Sequence, residues 1–298
     1  MWVRNVVGVL CAGLLAWTIG YARGSRTPPV RPNACGDSAV ITTEPSIPTK
    51  GALFRVRVSA AASDLTGRVA GETLHFDKDS ATSVSLAAVP IDAADSLLVV
   101  VRCTLGDATD SLLTRLAVSS GEYPIEKLRV APAFGRPPDS ATAARIDRES
   151  KRAVDVAVQA HITPRLWHEP FEHPRDSRIT SGFGGGREYN GNITSRHMGT
   201  DFAGATGAPV RAANRGVVRI VDAFFYGGNV VYIDHGAGLS SAYLHLSQQL
   251  VAAGDTVERG QTIGRVGATG RVTGPHLHFI VRFGSITVDP ISLFALQR

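Results

Sequence analysis

The sequence predicts a mainly β protein built from antiparallel sheets, with a single connecting helix. Short alternating apolar runs recur about every ten residues from Cys35 to Val130. Gly-punctuated strand patterns return from about Ile179 to the end, and only one stretch between the two regions has a helical period. With no helix of any length separating the later strands, their pairing must be antiparallel. The 298 residues are enough for two cores, and 44% hydrophobic content with 31 Gly and 16 Pro fits a globular, turn-rich chain. The formal charge of +5 comes from scattered Arg, with no basic run interleaved with aromatics, which argues against nucleic acid as a partner.

In chain order, residues 1–24 read as a signal peptide or membrane anchor. Met1 to Arg4 carry one positive charge, Asn5 to Ala22 are almost wholly apolar, and Gly20-Tyr21-Ala22 offers small residues at a signal peptidase's spacing. The run of about 18 residues is also at the lower edge of a membrane-spanning length. Either way the chain is expected to be exported, to the periplasm, the cell envelope or the exterior. Cys35 and Cys103 then remain as an even pair, which in an exported protein predicts a disulfide.

Residues 31–130, with runs such as Leu53-Phe54-Arg55-Val56-Arg57-Val58, predict a small antiparallel β-sandwich. It holds a single histidine, His75, and no cluster of catalytic residue types. Residues 131–176 form a linker: Pro132, Pro137 and Pro138 come first, followed by a helix from a cap at Asp139 or Ser140 to about His161. Residues 177–298 hold the later strands, placed near 216–221, 229–233, 239–244, 262–266, 276–282 and 286–288.

Four of the nine histidines fall in this last region at spacings that chemistry can use. His276-Leu277-His278 in an apolar strand puts both imidazoles on one face, about 6 to 7 Å apart, because side chains alternate with period two. His197 and Asp201 stand four residues apart, but Gly199 and Thr200 disfavour a helix. In an extended strand they would lie about 13 Å apart, too far to share an ion, so a bend at Gly199 is required. Together with His245, these groups offer zinc three protein ligands and an open fourth position, as in a catalytic site. Spacing alone leaves open which histidine stays off the metal.

Ser181-Gly182-Phe183-Gly184, Asn190-Gly191, His197-Met-Gly-Thr-Asp201, Tyr243-Leu-His245-Leu and Gly274-Pro275-His276-Leu-His278 together resemble the lysostaphin-type (LytM, M23) zinc metallopeptidases. The resemblance covers about Ile179 to Pro290. It implies an antiparallel β-sheet peptidase domain at 177–298 and an immunoglobulin-like sandwich at 31–130, as in exported multidomain members. It implies Zn2+ held by His197, Asp201 and His278, with His245 and His276 as catalytic histidines. The implied activity is hydrolysis of peptidoglycan cross-links, either a D-alanyl link to a diamino acid or a glycine bridge; a non-catalytic wall-binding or regulatory relative is the alternative. Arg187, Tyr189 and Asn190 are expected along the substrate groove. One departure is that Gly186 stands where the family often has the first of two Arg, leaving only Arg187. His168 to His173 superficially resembles an HExxH motif, but the second His is one residue too far and Pro170 breaks the helix. His235 reads as a turn histidine bonded to backbone.

Overall fold

Alternation in Leu53-Phe-Arg-Val-Arg-Val turns Phe54, Val56 and Val58 into a buried face and leaves Arg55 and Arg57 on the other, where they pair with Glu44 and Asp79. The computed structural model describes residues 33–62, 64–79, 81–191 and 193–296. The proposed leader at 1–24 lies outside the described residues. The first strands are β1 Val40–Glu44, β2 Leu53–Ser59, β3 Asp64–Val69, β4 Glu72–Thr73, β5 Asp77–Asp79, β6 Thr82–Ala88, β7 Ser96–Leu105 and β8 Ala108–Ala117. They form two antiparallel sheets of four, ordered β1-β2-β6-β5 and β4-β3-β7-β8. Phe54, Val56, Val58 and Ala87 from one sheet pack on Val69, Val99, Val101 and Leu116 from the other, which makes a sandwich. Cys35 and Cys103 form a disulfide at its edge.

The next strand, β9 Ile125–Leu128, leaves the sandwich although it lies inside the span expected for it. It pairs in parallel with β11 Gly186–Tyr189, which also pairs with β12 Ile193–Arg196. Helix α1 Ser140–Gln159 begins at Asp139, whose carboxylate accepts the Thr142 amide at 2.7 Å. Its Ala153 and Val156 cover Ile220, Phe224, Val230 and Tyr232 on one face of the large sheet.

That sheet comprises β10 Ile179–Ser181, β13 Thr200–Ala203, β14 Pro209–Arg211, β15 Gly216–Phe224, β16 Gly228–Gly236, β17 Leu239–Gln249, β18 Thr256–Val257, β19 Thr262–Val266, β20 His276–Phe283 and β21 Ile286–Val288. Its main order is β10-β13-β20-β17-β16-β15-β18, all antiparallel, with β14 on β19 and β21 on β20. Phe202, Val210, Ile233, Tyr243, Leu246, Ile263, Leu277 and Phe279 fill the main core, closed by Leu293 and Phe294 of α2 Pro290–Ala295. Three central strands, β13, β20 and β17, carry Asp201, the paired histidines and His245.

Candidate metal centre and cleft

Strand pleat aims His276 and His278 of β20 to the same face. In the register of β13 on β20, Asp201 stands directly opposite His278, and cross-strand partners share a face. His197 joins them from the bend before β13. A Cβ on Gly199 would stand 2.6 Å from the Phe279 carbonyl oxygen and 2.7 Å from the His278 ring, so only glycine lets this bend approach β20.

The result is three converging atoms. His197 Nε2 lies 3.0 Å from Asp201 Oδ1 and 2.9 Å from His278 Nδ1, and His278 Nδ1 lies 2.7 Å from the same Oδ1. Among the described residues this His-Asp-His set is the group that could hold a metal ion. A tetrahedral ion with ligands at about 2.1 Å needs its ligand atoms roughly 3.4 Å apart, so the set fits zinc after a small outward adjustment.

The surroundings select the ligand forms of these groups. His197 Nδ1 donates to the Gly182 carbonyl at 2.7 Å, which leaves Nε2 as a bare lone pair toward Asp201 and His278. Amide bonds from Gly184 N to His197 O and from His197 N to Gly185 O, both 2.7 Å, stitch the Gly-rich turn after β10 to that histidine. Burial pushes the His278 imidazole down to about 4. Burial alone would raise Asp201, but the adjoining His197 and His278 rings outweigh it and hold the carboxyl well below its ordinary range. Neutral rings and an ionised carboxylate are the forms a divalent cation requires. Arg187 Nη2 donates to Asp201 Oδ2 at 2.6 Å and so fixes the other carboxylate oxygen.

Two further imidazoles border this group. His245 sits where β17 changes partner, from β20 over Leu239 to Leu244 to β19 from Leu246 onward. Its φ of +64 is rare for a non-glycine residue and turns the ring out of the strand's pleat. His245 Nδ1 donates to the Thr269 carbonyl at 2.8 Å, so Nε2 remains free to accept. Burial, followed by the neighbouring His278 and His276, pushes His245 down to about 3. His276 Nδ1 donates to the Gly274 carbonyl at 2.8 Å, and its Nε2 lies 3.7 Å from Asp201 Oδ1. The His245 ring centroid is 5.0 Å from that of His276 and 5.8 Å from that of His278.

A cleft of about 510 Å³ opens beside the group, lined by Glu126, Arg178, Arg187, Tyr189, Asp201, Arg271 and His276 among others. Arg187 and Tyr189, expected along the groove, are there. Arg187 is committed to Asp201, however, and Tyr189 lies under Arg271, whose guanidinium carbon is 4.1 Å from the ring centroid. The Asn190 side chain both accepts from Val130 N and donates to Val130 O at 3.0 Å, so it ties the turn after β11 to the linker. Arg271, Thr269 and Glu126 were not singled out by the sequence reading, because each reaches the site through long-range packing. His235 is fully buried, donates Nδ1 to Arg215 O at 2.8 Å and meets Ser241 Oγ at 2.8 Å. His173 packs between Phe202 and Phe294, away from the converging group.

Residues 195–290 match the model of Peptidase family M23. This segment is an M23-family domain. The chain is 46% identical over 115 residues to the peptidoglycan DD-endopeptidase ShyB of Vibrio cholerae, which covers 38% of this chain and 26% of that protein. It is 40% identical over 117 residues to the DD-carboxypeptidase/endopeptidase Mpg of Neisseria meningitidis, covering 39% of this chain and 27% of that protein. The chain thus spans about a quarter of the length of the curated relatives it matches. A Pseudomonas aeruginosa crystal structure, named as a candidate M23 peptidase, superposes with a TM-score of 0.66 over 84% of this chain and 96% of that one. Identity is 24%, so this likeness establishes the shared fold, and it extends beyond the M23 domain.

Proposed function

We propose that the protein is an exported zinc endopeptidase that hydrolyses peptide cross-links of bacterial peptidoglycan. The observation that carries this reading is the convergence of His197 Nε2, Asp201 Oδ1 and His278 Nδ1 within 3.0 Å of one another, with two more imidazoles at their side. The names of the M23 relatives, which are peptidoglycan endopeptidases, support the substrate. The chemistry of the donor set, two neutral imidazoles and one carboxylate, supports zinc as the ion. When bound, such an ion supplies a Lewis acid that polarises a carbonyl and acidifies water.

The chain's own residues would do the rest. His197, Asp201 and His278 hold the ion, and Arg187 and Gly182 keep the carboxylate and the His197 ring turned toward it. His276 Nε2, opposite the Nδ1 that Gly274 holds, is the general base that takes the proton from the attacking water and returns it to the leaving amine. His245 Nε2 faces the same site and orients the water or steadies the developing oxyanion, a role it can exchange with His276. The cleft walls bind the peptide.

Purified peptidoglycan sacculi digested with the protein, with release read by mass spectrometry of muropeptides, test this reading. Cross-linked dimers should fall to monomers, a chelator should stop the reaction, and added Zn2+ should restore it. Activity untouched by chelation would sink the metal-dependent mechanism, and binding to the wall without any cleavage would favour a non-catalytic wall protein.

A further inference from the structure

Arg271 is the half-buried cation of the cleft that has no acidic partner. Its guanidinium carbon lies 4.1 Å from the Tyr189 ring centroid and 4.0 Å from the Tyr226 centroid, so the planar group is held between two aromatic faces. Among the described residues it makes no ion pair, whereas Arg187 is bound to Asp201 and Glu126, and Arg178 is exposed to water. Burial pulls Arg271 below the ordinary arginine range, as expected for a charge lacking a counter-ion.

The backbone under Arg271 is fixed to the same framework as the candidate catalytic groups. Its amide donates to Tyr226 O at 2.9 Å. Gly270, at φ +75, lies so close to the turn before β16 that a Cβ would stand 2.4 Å from Gly228 N. Two residues earlier, the Thr269 carbonyl holds His245. One short loop therefore orients an imidazole toward the converging group and presents a clamped guanidinium to the cleft that Asp201 and His276 line. Stacking on tyrosines fixes the guanidinium plane, and of its five N–H donors the Tyr189 hydroxyl can engage only a part, which leaves donors for a carboxylate in a forked pair.

We propose that Arg271, clamped by Tyr189 and Tyr226, is the specificity residue that receives a free carboxylate of the substrate beside the scissile amide. This rests on the peptidase reading above and narrows it. The preferred substrate would be a cross-link whose amine partner carries an unblocked carboxylate on the carbon bearing that amine, in contrast to an uncharged bridge. Arg271 takes no part in bond making; it anchors the acid and so sets which amide lies over the metal group.

The test uses two synthetic cross-linked peptides, each joining D-alanine to the side-chain amine of a diamino acid, with the carboxylate beside that amine either free or amidated. The zinc-loaded full chain should favour the free acid about 10- to 100-fold in kcat/KM, mainly through KM, because the ion pair forms in the ground state. Arg271→Gln should abolish the preference by weakening the free acid alone, and Arg271→Lys should keep part of it. Equal rates on both peptides in the native chain, or an equal loss on both in Arg271→Gln with zinc content unchanged, would overturn the proposal. If the native chain cuts neither peptide, the peptidase reading fails separately, and calorimetric binding of the same pair decides: acid-selective binding lost in Arg271→Gln upholds the carboxylate site, while equal binding overturns it.

Discussion

Two histidine clusters in this molecule are built from the same residue types and differ in one respect. At the joint between the sandwich and the M23 domain, His75 Nε2 lies 2.7 Å from His161 Nδ1, His161 Nε2 lies 2.8 Å from Glu72 Oε2, and Glu72 Oε1 accepts the Ser285 amide at 2.9 Å and the Ser285 hydroxyl. The contacts there run pairwise along a line, so one proton per link satisfies them. In the converging group, His197 Nδ1 has already given its proton to Gly182, and three acceptor atoms meet at one place. A single proton on His278 Nδ1 can face Asp201, but it leaves His197 Nε2 with a lone pair against its neighbours. The linear cluster is complete with protons; the convergent one offers a donor set that a cation could complete. Residue type therefore says little about metal binding until the directions of the lone pairs are known.

The largest effect should come from breaking the convergence. His278→Ala should reduce bound zinc from about one per chain to a small fraction and lower cross-link cleavage by roughly 10³-fold or more, read by elemental analysis and muropeptide release. His245→Ala removes a ring beside the group without removing a ligand. It should keep its zinc and lose about 10²- to 10⁴-fold in kcat, the usual worth of a proton-transferring or charge-stabilising group. Loss of zinc in this variant would place His245 among the ligands and redraw the cluster.

Much of this division was legible in the chain itself. Period two in His276-Leu277-His278 places both rings on one face whatever the sheet order, and Gly199 between His197 and Asp201 marks the bend that brings them together. What was not legible depends on pairing distant in sequence. That Asp201 faces His278 is fixed by the β13 to β20 register, 77 residues apart. The positive φ of His245 arises because β17 exchanges β20 for β19 at that residue, which Tyr243-Leu-His-Leu does not announce. Arg271 looked like one more scattered arginine because its two tyrosines come from other segments, β11 and the turn before β16. The two bonds of the Asn190 amide to the Val130 backbone likewise join residues 60 apart, which Asn190-Gly191 does not announce.

A buried imidazole outside both clusters gives the comparison a pH axis. His235 belongs to neither cluster, and burial pushes it down to about 4, against a backbone acceptor and the Ser241 hydroxyl. Its folded pKa lies below the unfolded value near 6.5, so between about 4 and 6.5 the unfolded chain binds more protons and stability falls as the pH is lowered. The loss from this one group should approach about 3 kcal/mol by pH 4. Denaturant midpoints at pH 7, 5.5 and 4.5 should decline more steeply in the native chain than in His235→Gln. Parallel slopes would mean that other buried groups, not this one, govern acid sensitivity.

The smallest effect should come from the linear cluster. Glu72→Gln keeps the shape and an acceptor for Ser285 but removes the charge that strengthens the link to His161, and Glu72 is held below its usual range by its bonds to His161 and Ser285, which outweigh its burial. Losing charge assistance in a half-buried hydrogen bond costs about 1 to 2 kcal/mol, a fall of a few degrees in Tm for a chain of this size. Zinc content, kcat and the preference at Arg271 should stay unchanged, since no atom of Glu72, His75 or His161 enters the cleft lining. A variant that lost metal along with stability would show that the joint between the sandwich and the M23 domain shapes the convergent group, and the two clusters would then have to be treated as one coupled unit.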